Sequence, residues 1–214
     1  MSDVIISVRG TAQRRVAPEL AVVHAQVRLD GPDRASVTRR VGQSADVVRD
    51  RLKTLEEGER IVRWSSERAY FWSSRPWNQD GQQLPPVHYG SVSFSATFDD
   101  FSELAGWIGE LAVSEEVSVG DVSWQLTRET RDRVERETAT EAVSAAVERA
   151  RAYAGALGFD DLMPLEIADH DLLTDGGHEM RAMMAGAARS APAIELEPED
   201  ISISATVHGR FAAR

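Results

Sequence analysis

The C-terminal segment constrains the fold of this chain more than any other part of the sequence. From Ile201 to His208, apolar and polar residues alternate without a break, and this two-residue period is typical of a half-buried β-strand. The preceding strand candidate ends at Ala168, before a long stretch rich in glycine, alanine and methionine. The last strand must therefore return to pair with strands that form much earlier in the chain.

Between residues 16 and 127, the hydrophobic pattern alternates between two periods. Apolar residues recur at every second position, as in strands, over 16–29, 61–72, 87–98 and 117–127. After the first and third of these segments they recur at helical spacing. Aspartates mark the helix starts, Asp33 for the first and either Asp99 or Asp100 for the second. The order strand, helix, strand, strand, helix, strand is that of ferredoxin-like folds.

The remaining elements lie outside this core. A short strand over 4–8 is predicted to end at Gly10, and Gly58 is predicted to end the first helix in the left-handed conformation. A long helix over 129–157 should pack closely on a flat partner, because small residues dominate its apolar stripe. That stripe consists of Ala139, Ala142, Val143, Ala146, Ala150, Tyr153 and Leu157.

These elements predict a single α+β domain over residues 1–214, with a mixed or antiparallel sheet. Its predicted parts are the ferredoxin-like strand-helix core at 16–127, the long helix and a strand at 128–171, a flexible loop at 172–197 and the returning strand at 198–214.

Composition excludes several classes of function. Thirty-five acidic residues against 24 basic ones give a net charge of −11, which repels nucleic-acid phosphates and anionic lipids. The chain has no cysteine, which excludes thiol catalysis, disulfides and thiolate metal sites. It also lacks a nucleotide-binding glycine loop and a G-x-S-x-G motif, so we predict no cofactor and favour a non-enzymatic protein. No apolar run approaches the ~18–20 residues that span a bilayer.

Residues that could bind a metal ion are most concentrated just after the strand candidate at 162–168. Asp169, His170, Asp171 and His178 combine carboxylates with imidazoles, which are ligands for divalent cations. The spacing does not fit the EF-hand pattern, and the other interpretation is a solvated acidic loop.

Aromatic side chains are concentrated between residues 70 and 89. The candidates for an interaction surface are Tyr70, Trp72, Arg75, Trp77 and Tyr89. Exposed aromatic residues beside arginine are typical of recognition surfaces, because they bury a large rigid area at low entropy cost. The alternative is that these rings cap the end of their own sheet.

The chain resembles the SIMPL-domain family, a domain of unknown function whose members include bacterial periplasmic immunogenic proteins. The matching segments, in order, are Ile6-Ser7-Val8-Arg9-Gly10, 16–21, Tyr89-Gly90 with 91–98, 100–104, 122–126, the alanine-rich 139–158 and Pro198-Glu199-Asp200-Ile201. The resemblance implies an α+β fold and a tendency to self-assemble, and it transfers no catalytic residues. Many members look exported, whereas the start of this chain has neither a basic nor an apolar signal region, so we expect a bacterial protein located in the cytoplasm.

The sequence thus favours a self-associating or protein-interaction module: a homo-oligomer, with a possible protein partner at the 70–89 loop, no nucleic acid and no membrane span. The alternative is a metal-dependent binder or hydrolase that uses the Asp/His cluster at 169–179.

Overall fold

The computed structural model describes residues 4–169 and 196–214. Within them the chain forms seven strands and three helices, and every strand pairing is antiparallel, which confirms the α+β class. The elements are β1 (Val4–Val16), β2 (Leu20–Gly31), α1 (Arg34–Glu57), β3 (Arg63–Ser74), β4 (Val87–Phe98), α2 (Phe101–Leu111), β5 (Val117–Gln125), α3 (Arg128–Ala156), β6 (Leu162–Asp169) and β7 (Ile201–Ala213).

The chain divides into two compact units. The terminal unit contains the described residues of 1–17, 126–189 and 200–214, and the central unit contains those of 18–125 and 190–199. The prediction that the chain behaves as a single domain stays a prediction, and the flexible loop predicted at 172–197 lies almost wholly outside the described residues.

The central unit has the predicted ferredoxin-like order. Its four strands are arranged β3-β4-β2-β5, with α1 and α2 packed on one face of the sheet. On β2 every second residue from Ala21 to Leu29 is buried, and the residues opposite them on β4 are buried as well. This alternation produces one core between the helices and a single face of the sheet.

The starts of both helices in the central unit follow from aspartate caps. The Asp33 carboxylate accepts a hydrogen bond from the Ser36 N–H at 2.7 Å, and Asp100, not Asp99, caps α2 by accepting from Ser102 N–H at 2.8 Å. The predicted left-handed conformation at Gly58 is wrong, because its φ is −86°. The positive φ falls one residue later, at Glu59.

The terminal unit contains the returning strand. Its sheet has the order β1-β7-β6, and the pairing of β1 with β7 runs without a break from Val4 opposite Ala213 to Val16 opposite Ile201. The predicted return of the chain is therefore confirmed, with β7 in the middle of its sheet.

Gly10 does not end the first strand, contrary to the prediction, because β1 continues through it to Val16. A Cβ atom added at Gly10 would collide with the Ala142 carbonyl oxygen and would lie 2.6 Å from the Ala146 nitrogen. The glycine thus permits close contact between α3 and the sheet.

The buried residues of α3 occur at every fourth position and are mostly alanine. They are Val134, Thr138, Ala142, Ala146, Ala150 and Ala154. The predicted stripe was wrong at Ala139, Tyr153 and Leu157, which are exposed. The four alanines of this stripe let the helix lie close to the sheet.

Candidate functional site

The central sheet leaves one face uncovered by its own helices, and we call this the open face. The register places side chains from three neighbouring strands in rows across it. One row contains Arg28 on β2, Ser91 on β4 and Tyr70 on β3. The next rows are Gln26, Ser93 and Arg68, then His24, Ser95 and Ser65.

A β-bulge decides which side chains of β3 reach the open face. The pairing of β3 with β4 shifts by one residue between Ser66 and Arg68. Trp64, before the shift, packs against the core, whereas Trp72, after it, pairs with Tyr89 on the open face. The extra residue at Glu67 therefore turns the second half of β3 over.

The structure brings three of the predicted interaction residues together in an aromatic cluster. The ring centroids of Tyr70 and Trp72 are 5.2 Å apart, and those of Trp72 and Tyr89 are 5.0 Å apart with nearly parallel planes. The Arg28 guanidinium carbon lies 5.7 Å from the centroid of Trp72, within the range of a cation–π interaction. Tyr70 remains 57% exposed.

The other two predicted residues, Arg75 and Trp77, lie apart from this cluster in the turn between β3 and β4. This hairpin tip, residues 75–86, is an ordered turn. The Asn78 side-chain oxygen accepts from the N–H groups of Asp80 and Gln82, and Gly81 has a φ of +74°, which favours glycine. Trp77, bridged to Gln83, is 65% exposed.

The polar part of the open face contains an exposed His24–Glu67 pair with 3.7 Å between Nδ1 and Oε2. A shallow groove of about 370 Å³ lies beside it, lined by Gln26, Ser93 and Ser118 among others. Among the hydrogen bonds of the described residues, none joins a serine hydroxyl to His24. The groove therefore presents hydrogen-bonding groups but no assembled nucleophile and base.

The predicted metal cluster lies mostly outside the described residues, which include neither His170, Asp171 nor His178. Asp169 is described as the last residue of β6, opposite Val207. Over residues 4–169 and 196–214, the structure groups no three His, Asp or Glu side chains in a way that could hold a metal ion.

The carboxyls of Glu116 and Glu141 have lowered pKa values for structural reasons. The Ser44 hydroxyl and then Arg40, at 2.9 Å, donate hydrogen bonds to Glu116 and lower the pKa of its carboxyl. In the terminal unit, a hydrogen bond from Arg14 lowers the pKa of Glu141. The first contact joins side chains of α1 to the residue before β5, the second joins a side chain of β1 to one of α3, and neither lies on the open face.

Sequence reasoning missed Arg28, His24 and Arg68 as members of the surface. The alternation of β2 was a usable signal for the first two, because buried residues occupy the positions between them. Arg68 had no such signal, since its side depends on the bulge.

Comparison with models of known protein families shows that residues 6–211 match the SIMPL model, described as a protein of unknown function (DUF541). No curated protein matches the chain in sequence. Within the described part of the chain, no helix is both long and apolar enough to cross a membrane.

Proposed function

The chain belongs to the SIMPL family, and from this premise we propose that it is a non-enzymatic module that self-associates through the β3–β4 hairpin. The observation that carries the proposal is the exposure of Trp77 on an ordered turn. Tryptophan is enriched among the residues that dominate binding energy at interfaces, so a half-exposed tryptophan on a hydrogen-bonded turn is a candidate anchor for a partner.

The contacts support different roles for the two tryptophans of the hairpin. Trp72 stacks on rings of its own sheet, which supports the view that it caps that sheet. No aromatic ring in the described structure stacks on Trp77. Trp77 is therefore the better candidate for an anchor.

The turn around Trp77 supports an interface for a second reason. The Leu84 N–H donates to the Pro76 carbonyl at 2.8 Å, and the Asn78 N–H donates to the Gln82 carbonyl at 2.9 Å. These bonds fix the backbone before any partner arrives, so association costs less conformational entropy.

Trp77→Ala tests the proposal, with Tyr153→Ala as the matched control. Tyr153 is 53% exposed on α3 and far from the hairpin in sequence. Losing an anchor typically costs about 2 kcal/mol, or about 30-fold in the dissociation constant. Sedimentation equilibrium over a concentration series should show this loss for Trp77→Ala only, with melting temperatures near that of the wild type. A Trp77→Ala protein that assembles like the wild type but melts at lower temperature would show that Trp77 stabilises its own hairpin and is not an anchor of an interface.

The alternative of a metal-dependent binder or hydrolase has no supporting contact among the described residues. Metal analysis of the purified protein distinguishes the two functions. A strict monomer that retains stoichiometric metal would replace the self-association proposal.

A further inference from the structure

The sheet of the terminal unit has one face that α3 does not cover, and we call it the outer face. On the other face, α3 packs against Ile6, Val8 and Phe211 among others. Because successive side chains of a strand point to opposite faces, the residues between them on β1 belong to the outer face. Ile5 and Ser7 are accordingly exposed.

The chemistry of the outer face changes from row to row across its three strands. One row, which we call the apolar row, consists of Ile5 on β1, Ala212 on β7 and Met163 on β6. The next two rows are polar and consist of Ser7, Arg210 and Glu166, then Arg9, His208 and Ala168. An apolar end and a cationic end therefore lie on the same face, about 13 Å apart along β1, given the rise of a strand.

Two shallow grooves follow these rows. The larger, which we call the outer groove, has a volume of about 440 Å³ and is lined by the six residues of the two polar rows together with Val8 and Gly209. The smaller, of about 310 Å³, lies at the apolar row, where Met163 and Ala212 line it. Asp161 and Arg214 also line the smaller groove, with charges of opposite sign.

The charges of the outer groove leave one arginine without a carboxylate partner. Arg210 donates to the Glu166 carboxylate at 3.1 Å, so these two charges offset each other. Glu166 is also the one carboxylate that the described residues of β1, β7 and β6 place on the outer face. Over residues 4–169 and 196–214, no carboxylate lies within salt-bridge distance of Arg9. Its guanidinium group therefore retains its capacity to bind an anion.

The bond between Arg210 and Glu166 also opens a path from the cationic end to the apolar end. β7 lies between β1 and β6 in the sheet, so this bond draws the Arg210 guanidinium group toward β6 and away from β1. The residue of β1 in the same row is Ser7, which is small. An extended chain can therefore run over Ser7 from Arg9 to the apolar row.

We propose that the outer face binds an aliphatic carboxylate of medium chain length, with its acid group on Arg9 and its alkyl chain over Ser7 and the apolar row. A guanidinium group forms a two-point bond with a carboxylate, so the charge of Arg9 selects the acid group. Ile5 is 55% exposed and Met163 is 46% exposed, and covering this apolar surface with an alkyl chain is favourable. The site lies in the terminal unit and is independent of the hairpin.

A single acid group fits the outer groove better than a phosphate ester or a neutral alcohol. A phosphate ester carries more than one negative charge, and Glu166 in the same lining repels the additional charge. An alcohol has no charge with which to pair Arg9. The apolar row is of use only to a ligand with an alkyl chain, which distinguishes the proposed carboxylate from small acids such as acetate.

The first test titrates the wild-type chain with butanoate, octanoate and octanol in an isothermal calorimeter. A fully buried methylene group raises affinity about fourfold, and a half-covered one about twofold. Octanoate should therefore bind at least about tenfold more tightly than butanoate. Octanol should bind about fivefold more weakly than octanoate, because it lacks the charge that pairs with Arg9. Absent octanoate binding, equal affinities for the two acids, or octanol binding as tight as that of octanoate would overturn the inference.

The second test compares Arg9→Gln with Arg15→Gln as its matched control. Arg15 is exposed on the same strand and the same face, opposite Ser202, and it lines neither groove. Arg9→Gln should weaken octanoate binding about fivefold, Arg9→Lys should recover part of the loss, and Arg15→Gln should match the wild type. Equal losses in Arg9→Gln and Arg15→Gln would show general attraction by charge and would overturn the site. The wild-type series needs no variant, so it decides the question even if a variant misfolds.

The third test locates the alkyl chain with Ile5→Thr, which keeps a β-branched residue in the strand and makes one end of the apolar row polar. This variant should bind butanoate like the wild type but should lose part of the preference for octanoate. An unchanged preference would overturn the placement of the chain. Trp77→Ala should bind octanoate like the wild type, because the hairpin is in the other unit. A loss of octanoate binding in Trp77→Ala would place the ligand at the hairpin and would also overturn the inference.

Discussion

The two units each cover one face of an antiparallel sheet, but they fill the space between helix and sheet in opposite ways. In the terminal unit one long helix presents alanines such as Ala142 and Ala146, and its backbone lies against β1 at Gly10. In the central unit the buried side chains are large, among them Phe94, Leu52 and Trp107. A small-residue contact brings backbones together, whereas a large-residue core is made of side chains that interdigitate.

This difference predicts opposite sensitivities. The terminal unit should suffer most when a side chain is enlarged, because the nearest atoms belong to backbone that cannot rotate away. The central unit should suffer most when a side chain is truncated, because large buried groups leave cavities. Four predictions test the contrast, from the largest expected effect to the smallest.

Truncation after Pro198 should unfold the terminal unit. It removes β7, the middle strand of that sheet, and so leaves β1 and β6 without a partner. The loss is comparable to the whole stability of a domain, about 5–15 kcal/mol. Hydrogen exchange should become fast over 4–16 and 162–169 but stay slow over 20–31 and 87–98, because β2 and β4 remain paired.

The same experiment tests the prediction of a single domain. If protection is lost in β2 and β4 together with β1, the two units unfold as one cooperative structure. An unchanged melting transition after truncation would contradict the assigned role of β7.

Leu52→Ala should cost the central unit about 2–5 kcal/mol of unfolding free energy, because Leu52 is fully buried and its loss leaves a cavity. The matched change in the terminal unit is Ala150→Gly, also at a fully buried position. It should cost only about 1 kcal/mol, mostly from the lower helix propensity of glycine. Urea titrations measure both, and equal losses would refute the contrast.

Gly10→Ala should cost the terminal unit about 1–3 kcal/mol, toward the upper end, because the added methyl group meets backbone atoms of α3. Gly90→Ala is the control in the central unit. There the nearest atoms belong to the side chains of Phe71, at 2.6 Å, and Val41, at 2.9 Å, and these can rotate or shift. A Gly90→Ala protein less stable than Gly10→Ala would show that backbone contact is not the deciding factor.

Much of the fold could be predicted from the sequence, since two-residue and helical periods are local signals. β7 and the six elements of the central unit were found in this way. The role of Gly10 could not be predicted, because a glycine inside a strand can mark a bulge, a bend or a close approach of backbone. Here it permits contact with α3, more than a hundred residues away in sequence. A non-local cause leaves no local pattern.

The sequence named the aromatic residues of the candidate site but not the face of the sheet on which they lie. Aromatic composition was enough to name Tyr70, Trp72, Trp77 and Tyr89 as candidates, and their role in binding stays a prediction. Unbroken alternation along β3 would place Trp72 on the same face as Trp64, which packs against the core. The bulge near Glu67 reverses this relation, and its position depends on pairing with β4, which the sequence of β3 alone does not reveal.

The smallest predicted effect concerns Glu116, which joins α1 to the residues before β5. Because Ser44 and Arg40 lower the pKa of its carboxyl below the ordinary value of a glutamate, the charged form stabilises the folded state. That stability is present above the unfolded pKa and is lost as pH falls through the folded pKa. Glu116→Gln should cost about 1 kcal/mol or less near neutral pH, because solvent screens a partly exposed pair.

The control for Glu116 is Glu115→Gln, an exposed carboxylate one residue earlier. Urea titrations between neutral pH and a pH below the folded pKa should show the difference between Glu116→Gln and wild type shrinking toward zero, and Glu115→Gln corrects for the loss of one negative charge. If the Glu116→Gln difference stayed constant with pH, the contact would act through packing and not through charge. The large side chains of the central core would then account for the position of α1 without help from this carboxylate.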